Sequence, residues 1–220
     1  MSEFAVHSVP GSPFGRAVLA TLEEKRAPYR LVSLAPSALR SQEHLKRLHP
    51  FGRVPVLDHG DFRLYETQAI LRYLDRVLPS PPLTPTDPRR AARMDQVLNI
   101  NDWYLFQGVG NVIVFHRVVG PRILGITPDE EAIKAAMPKA RAVFNELARL
   151  LGGQTYFAGD ALSLADLLLA PAVEFFTATP EWAELSAPHA NLVAWIARMQ
   201  ERPSMKATTW ERVSELARAA

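Results

Sequence analysis

The stretch His49–Thr67, HPFGRVPVLDHGDFRLYET, holds residues whose types and spacing suit the grip of a small peptide. Glu66-Thr67 stands directly before a helical pattern, so a carboxylate, a hydroxyl and the amides of a helix start meet at one point. Val54-Pro55 stands at the head of an apolar run. A proline gives no N–H to a sheet ladder, so Pro55 belongs at a strand start or an edge, beside open backbone. Far upstream, Ser12-Pro13 is a helix start with a mechanism, serine as N-cap and proline at the first helical position. On local sequence alone, Ser12 reads as a cap.

These residues need elements to position them. Phe4–Ser8 reads as a short strand closed by Val9-Pro10-Gly11. A helix with one apolar face (Val18, Leu19, Leu22) runs from Pro13 to about Arg26, and Ala27-Pro28 ends it. Tyr29–Leu34 is a second strand, parallel to the first because a helix lies between them. Ser41–Leu48 is a short helix. Val54–Leu57 and Phe62–Tyr65 form an antiparallel hairpin around Asp58-His59-Gly60-Asp61, and a helix follows with Ile70, Tyr73, Leu74, Val77 and Leu78 at helical spacing. The order is βαβ, helix, ββα.

Residues 79–88, PSPPLTPTDP, hold five prolines and mark a stiff linker and a domain boundary. Beyond it the pattern is helical. Asp87-Pro88 opens a long helix to about His116 or beyond. Thr127 and Glu130, with Pro128 between them, form a capping box for a helix to Leu151. Ser163 and Asp166 form a variant box, before a segment apolar nearly all round. Asn191–Gln200 and Ser204–Ala217 give two further helices.

Composition excludes several classes. With 48% hydrophobic and 22% charged residues the chain is ordinary globular material, large enough for one or two domains. Residues 1–78 carry eleven Lys/Arg against eight Asp/Glu in a chain of net charge +2, which is no nucleic-acid patch. The absence of cysteine removes disulfides, thiol nucleophiles and Cys-ligated metals, and fits a reducing compartment such as the cytoplasm. No run of apolar residues is long enough to span a bilayer, and MSEFAVHS lacks the basic and apolar regions of a signal peptide. The six histidines show no metal-ligand spacing, so no metal is expected.

Taken together, Ser12-Pro13-Phe14-Gly15, Pro50-Phe51-Gly52-Arg53-Val54-Pro55, Glu66-Thr67-Gln68-Ala69-Ile70 and the Ser163–Asp166 box resemble the cytosolic glutathione S-transferases, most nearly the serine-type phi and tau classes of plants and bacteria. The resemblance covers nearly the whole chain. It implies an α+β, thioredoxin-like glutathione-binding domain over 1–78, the linker at 79–88, and an all-helical acceptor-substrate domain over 89–220. It also implies glutathione as co-substrate, a hydrophobic electrophile as second substrate, detoxification, and a homodimer with Phe51 as a plug.

Carried over position by position, the resemblance makes the Ser12 hydroxyl the donor to the glutathione sulfur. A shift of two units in a thiol pKa needs roughly 2.7 kcal/mol, within reach of a charge-assisted hydrogen bond and a helix dipole. Glu66 suits the γ-glutamyl amine, and Thr67 suits the carboxylate. Val54, before a proline that resembles the family's cis-proline, pairs with the cysteinyl backbone. Phe14, Arg40 and Arg53 complete the glutathione-binding set. Arg53 stands where many relatives have Gln, and His49 where they have Asn. Arg40 reads equally as ligand contact or surface charge. Asn101, Tyr104, Gly108, Asn111 and Phe115 share a face by helical spacing and are acceptor-pocket candidates, with core packing the alternative for the aromatic members. A glutathione-dependent peroxidase, isomerase or dehalogenase, or a non-catalytic binding or regulatory protein of the same fold, are the rival readings.

Overall fold

The computed structural model describes residues 3–219. Four strands, β1 (Phe4–Ser8), β2 (Tyr29–Ser33), β3 (Val56–His59) and β4 (Phe62–Tyr65), form one mixed sheet in the order β2-β1-β3-β4. β1 pairs parallel with β2 and antiparallel with β3, which pairs antiparallel with β4. This is the expected α+β, thioredoxin-like arrangement. β1 is buried along most of its length, as a central strand covered by helices must be.

Helix α1 (Pro13–Glu24) puts Ala17, Val18, Leu19 and Leu22 into the core, and α3 (Thr67–Val77) adds Ile70, Leu71 and Leu74. Between them in sequence comes α2 (Gln42–Arg47), capped by the Ser41 hydroxyl, which accepts the His44 N–H at 3.1 Å. At the end of α1 the fully buried Lys25 ammonium meets Asp75 of α3 and the Pro81 carbonyl, while the Leu83 N–H donates to the same Asp75 oxygen. A buried ammonium is tolerable only when paired in this way. β3 begins at Val56, so Val54-Pro55 lies just before the strand instead of inside it, and its peptide bond is cis.

The chain packs as two compact units. The residues up to Leu83 join the segment from Glu201 onward, and Thr84–Gln200 form the other. The expected helical domain 89–220 is therefore shortened at its end. The physical reason lies in the first unit's own contacts: Arg202 and Ser204 bind the Glu24 carboxylate, and Arg16 donates to the Met205 carbonyl at 2.9 Å. The expected helix Ser204–Ala217 is two helices, α10 (Pro203–Ala207) and α11 (Trp210–Ala219). Thr208 turns its hydroxyl back onto the Ser204 carbonyl at 2.7 Å and Thr209 caps Arg212, so the two β-branched residues break the run.

In the second unit, α4 (Pro88–Ile100) is capped by Asp87. The expected regular helix does not continue from it. Asn101–Gly110 and Phe115–Val119 are π-helical, and a short α5 (Gly120–Leu124) follows. Helix α6 (Glu130–Leu151) is capped by Asp129, whose carboxylate accepts the Ala132 N–H at 3.0 Å; the expected Thr127–Glu130 box is not used, because the better-placed acceptor is one residue before the helix. Helix α7 (Leu164–Thr177) is buried nearly all round, with α8 (Trp182–Ser186) and α9 (Ala190–Gln200) completing the unit. The fully buried Asp166 of α7 accepts from the Ser163 amide and hydroxyl, the Phe157 amide and the Trp195 indole. Burial pushes this carboxyl up, and the four donors pull it down.

Candidate functional site

Strand register brings the sequence-predicted residues of the first unit to one end of the sheet. Ser8 ends β1 opposite Ser33, and the Leu34 N–H donates to the Ser8 carbonyl. His7 faces Val56 and Val56 faces Tyr65. The exits of β1, β2 and β4 and the entry of β3 therefore share one end of the sheet, the rim at which the site residues lie. Ser12 follows β1, the turn Pro36–Arg40 follows β2, Val54-Pro55 precedes β3, and Glu66-Thr67 follows β4.

Val9-Pro10-Gly11-Ser12 closes by the Ser12 N–H to the Val9 carbonyl at 3.1 Å, with Gly11 at φ +85°. Proline second and a positive-φ glycine third are the pattern of a type II turn. Ser12, half-buried, then caps α1: its Oγ accepts the Gly15 N–H at 3.1 Å. A hydroxyl that accepts in this bond still has its own proton to donate. Gly15 is required here, because a Cβ on it would lie 1.9 Å from the buried Ser8 Oγ.

Glu66 caps α3 with its carbonyl, which accepts from Ile70 at 3.0 Å, while its side chain makes no cap bond and stays exposed. Its φ is +70°, a conformation costing a non-glycine residue about 1–3 kcal/mol and typical of ligand clamps. Thr67, the first residue of α3, is buried. Arg40 and Arg53 are exposed, and among the described residues neither guanidinium meets a carboxylate. Phe14 is half-buried beside Ser12.

Two residues outside the candidate set belong to the same rim. His49 is buried; its Nδ1 accepts the Phe51 N–H at 3.2 Å and its Nε2 faces Glu66 Oε1 at 3.9 Å. Burial, then the neighbouring His44 and Arg53, holds its pKa below the ordinary value. His44, also buried, contacts the Arg53 carbonyl through Nε2 at 3.0 Å. The sequence signal was present, since His49 directly precedes Pro50-Phe51-Gly52; a search for metal spacing alone passes over it. Among the described residues no group of three or more His, Cys, Asp or Glu is placed to hold a metal ion.

In the second unit the acceptor candidates do not share one face. Asn101 is buried, as are Leu105, Val109 and Ile113 at steps of four along the same stretch. Its Nδ2 donates to Asp102, and its Oδ1 has no partner among the described residues. Tyr104 and Asn111 are exposed, and Gly108 and Phe115 are half-buried. Trp103, which helical spacing did not select, is 63% exposed next to Tyr104 at 62%.

Comparison with known proteins gives a consistent result. Residues 11–77 match the family model for the glutathione S-transferase N-terminal domain, and residues 111–203 that for the C-terminal domain. A probable glutathione S-transferase of Oryza sativa subsp. japonica, GSTF1, is 31% identical over 196 residues, covering 86% of this chain and 87% of its own. The apo structure of glutathione S-transferase III superposes with a TM-score of 0.82 at 27% identity, over 94% of this chain and 95% of that one. Glutathione S-transferase-I bound with lactoylglutathione does so at 0.80 and 28%, over the whole of both chains.

Proposed function

The chain belongs to the glutathione S-transferase family, with glutathione as co-substrate, and we propose that the Ser12 hydroxyl donates a hydrogen bond to the glutathione sulfur and thereby favours the thiolate. The observation that carries this reading is the Ser12 hydroxyl itself: it caps α1 by accepting from Gly15 and keeps a proton to give, at the positive end of the helix. The thiolate then attacks an electrophilic carbon of a hydrophobic acceptor. A carbon–sulfur bond forms, the leaving group departs with its electron pair, and the thiol proton passes to solvent.

The other residues bind and orient. Glu66 meets the γ-glutamyl amine, while Thr67 and the start of α3 meet the γ-glutamyl carboxylate. Open backbone at Val54, before cis Pro55, pairs with the cysteinyl part as an added strand would. Arg53 and Arg40, exposed at the same rim, suit the glycine carboxylate, and Phe14 lines the sulfur. On the acceptor side, Tyr104 and Trp103 offer exposed aromatic surface, with Gly108, Asn111 and Phe115 as further contacts.

Replacing Ser12 by alanine is expected to lower turnover with a chloronitrobenzene acceptor about 100-fold, the usual effect of removing one donor to a developing anion, and to spare glutathione binding measured by calorimetry. Unchanged turnover refutes the role. Turnover with a hydroperoxide exceeding that with the chloronitrobenzene would assign peroxidase chemistry to the same site.

Phe51 is 70% exposed on a turn beside Tyr65 and His49, and we place it in a homodimer contact of a cytoplasmic detoxification enzyme. Sedimentation of Phe51→Ala should show monomer at concentrations where the parent chain is a dimer.

A further inference from the structure

We infer that Trp210 is a positioning residue for Ser12: its indole closes over Gly11 and holds the turn that presents the hydroxyl. This rests on the reading of Ser12 given above.

Three observations carry it. A Cβ built on Gly11 would lie 2.6, 2.7 and 2.7 Å from Cε2, Cδ2 and Cζ2 of Trp210. Near-equal distances to three adjoining ring atoms mean that the face of the indole, not its edge, rests on the Gly11 backbone. Gly11 is the positive-φ residue of the turn whose last residue is Ser12. No other residue type fits there, by conformation or by space. The indole therefore caps the turn at the residue directly before the reacting hydroxyl.

The segment that brings Trp210 is itself bolted to α1. Arg16, in the first turn of α1, donates to the Met205 carbonyl, and Glu24, the last residue of α1, accepts from Arg202 and Ser204. α1 is thus fixed at both ends by residues 202–205, and the turn ahead of it by residue 210. Ser12 lies between the Gly11 and Arg16 anchors. Loss of the indole leaves α1 anchored and frees only the turn, so the hydroxyl direction changes while the helix stays.

The test is the pH profile of kcat/KM with saturating acceptor, together with the thiolate absorbance of the glutathione complex. Trp210→Leu should move the acidic limb of the profile up by about one pH unit, toward the free thiol value near 8.5. The loss should be about tenfold at the acid end and less than threefold above pH 9. Trp210→Phe, which keeps a flat aromatic face, should restore the parent profile. If Trp210→Leu does not fold, Trp210→Met keeps apolar volume without a flat face and is judged by the same profile. A uniform loss at all pH values, or a lowered Tm with an unmoved profile, overturns the positioning role. Ser12→Ala separates the two claims. If it moves the profile and Trp210→Leu does not, only the inference fails. If Ser12→Ala leaves the profile unmoved, the Ser12 reading fails and the inference with it.

Discussion

The His49 imidazole accepts the Phe51 N–H at Nδ1, so its proton sits on Nε2, toward Glu66. Protonating Nδ1 would cost this bond and charge a ring that is 2% exposed. The fold therefore favours the neutral form, and the stability this confers is fully present above the ordinary histidine value of about 6.5 and drains away as pH falls below it. Urea midpoints at about pH 7.5 and about pH 5.5 should fall more for the parent chain than for His49→Asn. Asp58 acts in a lower window. Its carboxyl is held below the usual range by Arg63, against the opposing effect of burial and with help from His7. Its contribution is complete above the unfolded value near 4 and is lost as pH falls through the lower folded value, so Asp58→Asn should flatten the decline below about pH 4.

At the scale of elements, local chemistry was legible and hydrogen-bond register was not. Ser12-Pro13 and Ser41 announce their helices because a cap is written in two or three neighbouring residues. The end of α1, the hairpin and the Ser163–Asp166 box are readable for the same reason. The change from α to π at Asn101 leaves no such mark. The segment 101–110 carries no proline and its start no side-chain cap bond to announce a change of pitch, and its buried residues are Asn101, Leu105, Val109 and Gly110. Helical spacing therefore puts Asn101 on one face with Tyr104, whereas in the fold Asn101 is buried and Tyr104 exposed. The β1–α1 junction makes a sharp prediction: Gly15→Ala should cost about 1–3 kcal/mol through overpacking against Ser8, and Ser8→Gly in the same chain should recover part of it in a denaturant titration. Asp166→Ala, which strands four buried donors, should cost roughly 3 kcal/mol or more by the same measurement.

For the molecule as a whole, the first unit is discontinuous in sequence. Its sheet and binding residues are complete by Leu83, and the chain returns to it at Glu201, ahead of α10 and α11. Pro79–Pro88 was readable as a boundary because prolines concentrate there, but the return of the chain was not. It depends on pairs such as Glu24–Arg202 and Gly11–Trp210, which no local pattern connects. A ribosome adding about 5–20 residues each second makes the Glu24 partner only about 9–36 s after Glu24 itself, at a sequence separation of 178. Every residue proposed to touch glutathione is then already made, and the clamp on Ser12 follows more than a hundred residues later. The nascent chain thus holds a cradle for a reactive thiol before it holds the means to aim it, and full nucleophilic power waits for the segment that carries Trp210.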